Sequence, residues 1–201
     1  MGRPSRFDED QILDAAVELV GAGGPAALTV AGVAERLGAP SGSIYHRFGS
    51  RDALAGAMWL RAVESFQAQY AAALEEPDAR RAARRAAMSV LAWSREHLDE
   101  AQVLLLYRSR DFIGGGWPPE LEARNAAQRA NVTTMLEGLC RRLRARSAAD
   151  RRRVTFAVVE IPYAAIRTSL AAGEAPPDGL DAMVDDAVTA VLDGLSPKRR
   201  S

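Results

Sequence analysis

The side chains of this chain that could contact a polyanion are concentrated in residues 38–51, GAPSGSIYHRFGSR. Arginine, histidine and tyrosine donate hydrogen bonds to phosphate oxygens, and small residues let a helix approach the edges of bases. The residues of both kinds in this stretch are Ser41, Gly42, Ser43, Tyr45, His46, Arg47 and Arg51. A helix that is thin at its start and cationic along its sides fits the major groove of DNA, so we expect this stretch to bind nucleic acid.

Two short helices are predicted on either side of Gly38. The first covers residues 29–37 with Thr29 as its N-cap, and Gly38 can adopt the positive φ that a sharp turn requires. In the second helix Ile44 and Phe48 are four residues apart, so they face inward and leave the polar side chains outside. Together the two helices form a helix-turn-helix.

The first residue of the second helix has two interpretations. Pro40 can stand only at the start of a helix because it has no N–H. Either Pro40 is the first helical residue, or Ser41 is the cap and the helix begins at Gly42. Both interpretations place Gly42 in the first turn, where the absence of a Cβ lets the backbone approach base edges. They leave open which residue is the first to read a base.

The Thr-capped helix, Gly38, the run Gly42–Phe48 and Arg51 together resemble the N-terminal signature of the TetR family of transcriptional regulators. The resemblance implies an all-α protein. A three-helix helix-turn-helix DNA-binding domain would cover residues 1–52. A long helix would join it to a helical domain over residues 53–201, which binds ligand and forms the dimer.

The resemblance also implies how the protein assembles and acts. Helices at about 147–171 and 179–195 would form a homodimer that binds double-stranded operator DNA as a repressor. A small apolar or amphipathic inducer would release it. Within the first of these helices Pro162 lacks an N–H and frees the carbonyl of Val158, so we expect a kink there.

The family pattern suggests separate roles for the residues at the DNA. Ser41, Gly42 and Ser43 would select bases. The implied phosphate contacts are Thr29, Tyr45, His46, Arg47 and Arg51. Arg51 stands where the family usually has a lysine at the start of the next helix. Arg3 and Arg6 form a short arm that could follow a minor groove or could be a frayed terminus.

The candidate ligand-binding residues are polar or aromatic side chains on apolar helical stripes. Asn125 and Gln128 stand on the stripe of residues 121–143, and a buried amide must find a hydrogen-bond partner. The aromatic candidates, which offer apolar area with a polar edge, are Trp93, His97, Tyr107 and Tyr163. The alternatives are hydrogen bonds within the protein for the amides and core packing for Trp93 and His97.

Charge does not by itself point to DNA. Lys+Arg and Asp+Glu both number 26, and residues 1–51 carry five basic and six acidic side chains. The prediction of DNA binding therefore depends on the motif. A second basic run consists of Arg80, Arg81, Arg84 and Arg85. We expect it to be a solvated face, because like charges at i,i+4 repel each other.

Several classes of protein are disfavoured. Cys140 is the single cysteine, which excludes an internal disulfide and a cysteine-based zinc site. No nucleophile and base stand at interpretable spacing, so we expect neither an enzyme nor a metal or cofactor. No leader or membrane span is recognisable, which predicts a cytoplasmic protein without a membrane partner. The remaining alternative is a helix-turn-helix DNA-binding protein without a ligand, whose C-terminal domain would be packed solid.

Overall fold

The computed structural model describes residues 7–113 and 116–195, and within these ranges the chain is helical, without a β-strand. The helices are α1 (Glu9–Gly23), α2 (Val30–Leu37), α3 (Ser41–Phe48), α4 (Arg51–Leu74), α5 (Ala79–Glu96), α6 (Leu98–Leu106), α7 (Ser109–Phe112), α8 (Pro119–Arg142), α9 (Ala148–Thr155), α10 (Ile161–Ala171) and α11 (Leu180–Asp193). A 3₁₀ turn, Pro25–Ala27, joins α1 to α2, and a π-helical turn, Phe156–Glu160, joins α9 to α10. The predicted all-α class is confirmed. The arm with Arg3 and Arg6 lies outside the described residues.

The helices form two compact units, and both α4 and α8 run from one unit into the other. The first unit comprises residues 1–63 and 99–127, and the second comprises residues 64–98 and 128–201. The predicted boundary after residue 52 divides the chain differently. It fails to include α6, α7 and the first half of α4 with the DNA-binding helices, although their apolar residues share one core with α1, α2 and α3.

Local sequence signals determine the first unit. Asp8 and Gln11 form a capping box at the start of α1, with the Gln11 N–H donating to the Asp8 carboxylate at 2.8 Å. Thr29 caps α2 by accepting a hydrogen bond from the Gly32 N–H at 2.9 Å. Gly38 ends α2 with a φ of 60°, the left-handed conformation that a glycine adopts without strain. The helix-turn-helix therefore depends on its own caps and turn.

In the second unit α5 lies antiparallel to α11, and ion pairs join the two helices. Arg80 pairs with Asp193 at 2.6 Å, and a bond of 2.7 Å joins the Arg95 guanidinium to Asp181. Arg84 lies between them and bonds Asp185, also at 2.7 Å. Arg81 and Arg85 pair with Glu76. The predicted basic run is exposed as expected, but each of its arginines has a carboxylate partner.

The helix pair α9 and α10 accommodates a proline. Pro162 cannot donate to the carbonyl of Val158, and this carbonyl instead accepts a hydrogen bond from the Tyr70 hydroxyl on α4 at 3.3 Å. Burial raises the pKa of the Tyr70 phenol, so the hydroxyl stays protonated and able to donate. The irregularity expected at Pro162 takes the form of the π turn, whose five residues precede Ile161.

Candidate nucleic-acid interface

The recognition helix α3 begins at Ser41, with Pro40 as its N-cap. The carbonyl of Pro40 accepts hydrogen bonds from both the N–H (2.9 Å) and the hydroxyl (2.6 Å) of Ser43. Neither interpretation from sequence had this register: Pro40 lies just outside the helix, and Ser41 is the first helical residue rather than the cap. The proline has no side-chain acceptor for the first turn, so the amides of Ser41 and Gly42 have no side-chain cap.

The apolar face of α3 anchors the helix as predicted. Ile44 is fully buried and Phe48 is half-buried against the shared core, and α2 and α3 pack together. Because these two residues are one turn apart, their burial fixes which side of α3 faces outward.

The outward face of α3 carries the predicted DNA-contacting residues, and all of them are exposed: Ser41, Gly42, Ser43, Tyr45, His46 and Arg47. Tyr45 has 52% of its surface exposed, which is high for a large aromatic side chain. Among the described residues, the side chains of Tyr45, His46 and Arg47 make no hydrogen bond or ion pair. These donors are therefore available to an external acceptor.

Gly42 has no packing reason to be a glycine. A Cβ built on it would meet no atom within 4 Å. The helix would accept alanine there, and alanine favours a helix by roughly 0.5–1 kcal/mol over glycine. A requirement for glycine at this position must therefore come from something outside the protein.

Thr29 is exposed at the start of α2, and its hydroxyl oxygen accepts the Gly32 N–H. The hydroxyl proton remains available to donate to a phosphate oxygen. Its capping and phosphate-binding roles are compatible.

Arg51 is placed differently from the other predicted phosphate contacts. Its Nε donates to the carbonyl of Leu28 at 2.9 Å, and its Nη2 to that of Pro25 at 3.2 Å. Its Nη1 donates to the carbonyl of Phe112 at 2.6 Å and contacts the Asp52 carboxylate at 3.3 Å. Four of its five N–H donors are therefore directed at the protein itself, unlike those of Arg47.

Arg61 is a polar residue of this unit that the sequence analysis missed. From α4 it pairs with Asp14 of α1 at 2.7 Å, and it lies 3.8 Å from Glu100 of α6. Its Nη1 also donates to the carbonyl of Asp10 at 3.1 Å. A lone arginine within the largely apolar run of residues 53–63 was the available signal, because a charge there needs partners.

The six predicted ligand-binding residues are divided between the two units. Tyr107 and Asn125 belong to the first unit, where the ring of Tyr107 packs edge-on against Phe112. Trp93 belongs to the second unit and is fully buried, with its indole donating to the Ser65 hydroxyl at 3.0 Å and its ring packed against His97. Trp93 is therefore a core residue here, as the alternative interpretation held.

Gln128 and Tyr163 also lie in the second unit. Tyr163 is half-buried on α10. Gln128 finds its hydrogen-bond partners within the protein: its amide donates to Glu64 at 3.3 Å, and its amide oxygen accepts from Asn131 at 3.4 Å. It lines an open groove of about 380 Å³ between α4 and α8. The residues around this groove are Glu64, Gln67, Ala68, Ala71, Gln128, Asn131, Thr134 and Met135.

Gln67 was missed by the sequence analysis, although it is the most buried polar residue of this groove. It is 8% exposed, its amide donates to the backbone carbonyl of Gln128 at 3.1 Å, and its Oε1 has no hydrogen-bond partner. The sequence carried a signal for this residue. Gln67 lies among small apolar residues of α4, just as Gln128 lies among small apolar residues of α8. A larger cleft of about 550 Å³ lies between α5 and α11, but its three arginines are ion-paired.

Comparison with known proteins identifies the N-terminal part of the chain. Residues 12–58 match the sequence pattern described as bacterial regulatory proteins, tetR family. This range begins within α1, includes α2 and α3 and ends in the first half of α4. A search among curated protein sequences gave no significant match.

Solved structures extend the likeness to nearly the whole chain. A TetR-like transcriptional regulator from Rhodococcus sp. RHA1 is 20% identical with a TM-score of 0.71, covering 96% of this chain and 100% of that one. The TetR family regulator PfmR from Thermus thermophilus is also 20% identical, with a TM-score of 0.68, and covers 92% and 99%. The fatty acid degradation regulator FadR from Bacillus halodurans is 16% identical, with a TM-score of 0.65, and covers 94% and 100%. These likenesses establish the fold.

Proposed function

This chain carries the helix-turn-helix domain and the fold of the tetR family of bacterial regulatory proteins, and we propose that it is a homodimeric repressor which a small molecule releases from operator DNA. The observation that carries the proposal is the outward face of α3. Tyr45, His46 and Arg47 are exposed donors without partners among the described residues, beside a glycine that the fold does not require.

A selection experiment tests the DNA-binding part of this proposal. The full-length protein is used to select duplexes from a random pool, and the selected DNA is footprinted. A dimer with two recognition helices should select a pseudo-palindrome with half-sites about 34 Å apart, one helical turn of DNA. Selection of no preferred sequence would contradict the proposal.

The dimer is inferred from apolar surface that one chain leaves uncovered. The helical stretch Ala148–Ala171 is apolar enough in composition to cross a membrane, yet only 33% of its apolar window is buried. One such stretch is weak support for a membrane protein, and a subunit interface explains it as well. Phe156, Val159 and Met183 are exposed on the predicted interface helices. A second subunit placed there would cover them.

The buried face of α11 packs within its own chain and is not a subunit interface. Val188 is fully buried within the chain, so a charge placed there would disrupt folding rather than test the dimer. Met183 is a better probe, because it is 68% exposed on the same helix. Met183→Asp should yield monomers in sedimentation and lose operator binding. Val132→Asp is the matched control, since Val132 is also exposed but lies on α8, and it should remain dimeric.

The ligand site that we propose is the groove between α4 and α8, in place of the six residues predicted from sequence. It combines a carboxylate, three amides and a hydroxyl with small apolar side chains. Such a lining suits an amphipathic molecule that carries a hydrogen-bond donor, with its apolar part on Ala68, Ala71 and Met135. Gln128 is the predicted ligand residue that this site retains.

Filling the groove tests the ligand site. Ala71→Leu places a larger side chain in the groove, while Ala72→Leu places the same side chain on the exposed side of the next residue. A panel of amphipathic amines and amides is screened for thermal stabilisation and for release of operator DNA. A responsive compound should lose its effect on Ala71→Leu and keep it on Ala72→Leu. If no compound in the panel acts on the unaltered protein, a DNA-binding protein without a small-molecule ligand becomes the better description.

A further inference from the structure

The guanidinium of Arg51 bridges two segments that lie far apart in the sequence. Its bonds to the carbonyls of Pro25 and Leu28 hold the 3₁₀ turn that leads into α2. Its bond to the carbonyl of Phe112 holds the last residue of α7. Carbonyl groups at the end of a short helix lack intrahelical donors, so the bonds to Leu28 and Phe112 satisfy groups that the helix leaves open. The Pro25 carbonyl also accepts the Leu28 N–H at 3.3 Å, so Arg51 is its second donor.

Aromatic packing joins the same two segments. Phe112 is buried, and its ring centroid lies 5.7 Å from those of Trp59 and Tyr107. On the other side, the Tyr107 hydroxyl lies against Gly24: a Cβ on this residue, whose φ is 70°, would lie 3.3 Å from the hydroxyl oxygen. The end of α7 and the turn before α2 thus share one packed contact, with Arg51 at its edge.

We propose that Arg51 is a positioning residue for DNA binding and makes no phosphate contact: it holds the end of α7 to the turn before α2, so that the position of α7 sets the orientation of the recognition helix. This inference rests on the proposed function, because it concerns how that function is regulated. A shift of α7 would weaken the hydrogen bonds of Arg51. The DNA-binding helices would then no longer be held in one orientation.

The geometry of arginine is essential to this role. Its planar fork reaches three carbonyls in different directions, which the single ammonium of a lysine cannot do. Arg61 offers a contrast on the same helix, since its shortest contact is with a carboxylate, Asp14 at 2.7 Å, whereas the shortest contact of Arg51 is with a carbonyl, Phe112 at 2.6 Å. A lysine at position 61 keeps the charge that this carboxylate needs. Arg51→Lys and Arg61→Lys are therefore matched variants with different expected outcomes.

The experiment measures binding of a selected duplex as a function of salt. The variants are Arg51→Lys, Arg51→Gln, Arg61→Lys and Arg47→Gln. Both Arg51 variants should bind about tenfold more weakly with an unchanged log–log salt slope, because hydrogen bonds are lost but no phosphate contact is. Arg47→Gln should flatten the slope by about 1. Arg61→Lys should bind like the unaltered protein.

Two outcomes would overturn the inference. In the first, Arg51→Lys binds normally while Arg51→Gln flattens the salt slope by about 1, which is the signature of a phosphate contact. In the second, both Arg51 variants bind as tightly as the unaltered protein. Failure of the unaltered protein to select any sequence would instead count against the proposed function, whereas hydrogen exchange of Arg51→Lys without DNA tests the bridge in either case.

Hydrogen exchange tests the bridge directly. In Arg51→Lys the amides of Leu28 and Ile113 should both exchange roughly tenfold faster, while those of α5 stay unchanged, because local opening raises exchange only where structure is lost. Acceleration at Leu28 alone would refute a connection to α7. If this variant does not fold, exchange is measured on the unaltered protein with and without the selected duplex. Slower exchange at Ile113 on adding DNA would support the inference, and no change would overturn it.

Discussion

The arginines of α5 and the polar residues of α3 differ in whether the protein itself provides partners for their side chains. On α5, Arg80, Arg84 and Arg95 each bond a carboxylate of α11. On α3, Tyr45 and Arg47 are exposed and have no such partner among the described residues. The denser cluster of positive charge is therefore the internally paired one. A binding surface for DNA is indicated better by donors that the fold leaves unused than by a count of basic residues.

The largest expected effect is at Gly42. Gly42→Leu should reduce affinity for the selected duplex on the order of 100-fold, because the side chain would hold the helix away from base edges. The melting temperature should not fall, since nothing in the protein lies within 4 Å of the new Cβ. Gly42→Ala should give a smaller loss of affinity. Fluorescence anisotropy and thermal unfolding measure both quantities. Loss of stability without loss of affinity would mean that Gly42 serves the fold.

A matched pair of arginine variants tests the comparison directly. Arg47→Ala should weaken DNA binding about tenfold and flatten the log–log salt slope by about 1, because one phosphate contact is lost. Arg84→Ala should alter neither, since its guanidinium bonds Asp185. Titrations at several salt concentrations measure the slope. A flatter slope for Arg84→Ala would show that α5 also contacts DNA and would remove the distinction between the two regions.

Removing one internal donor should have a moderate effect on stability. Tyr70→Phe leaves the carbonyl of Val158 without the Tyr70 hydroxyl and should lower the free energy of unfolding by about 1 kcal/mol. This value lies at the low end of the usual cost of an unsatisfied buried acceptor, because the hydrogen bond that is lost is long, at 3.3 Å. Urea unfolding measures the change. DNA affinity at a temperature where both proteins are folded should barely move, and a large loss of affinity would mean that Tyr70 also positions the DNA-binding helices.

The smallest effect concerns pH and the pair of Arg84 with Asp185. Hydrogen bonding from Arg84 lowers the pKa of the Asp185 carboxyl. The pair therefore stabilises the fold above the pKa of an unfolded aspartate, about 3.9, and this contribution is lost as the pH falls through the lower folded pKa. Asp185→Asn should cost about 0.2–1 kcal/mol near neutral pH, with screening by salt. Urea midpoints should show that difference shrinking as the pH falls below the unfolded pKa of about 3.9. A difference independent of pH would mean that the ion pair contributes nothing.

Features that depend on neighbours in the sequence could be predicted, and those that depend on distant segments could not. The capping box at Asp8, the turn at Gly38 and the inward face of Ile44 follow from residue type and spacing within one or two turns. The outward face of α3 followed from them. The distant partners of Arg51 are carbonyl groups, which carry no sequence signal because every residue has one. Gln67 meets Gln128 only because α4 and α8 pack side by side in the second unit.

Tyr70 and Pro162 are a compensating pair. The proline removes a donor from one helix and a hydroxyl on another replaces it, so the effect of altering one residue depends on the other. In a Pro162→Ala background the restored N–H can serve Val158, and Tyr70→Phe should then cost little, which makes the two substitutions strongly non-additive. Descendants of this chain should therefore keep the hydroxyl for as long as they keep the proline, and lose the proline first.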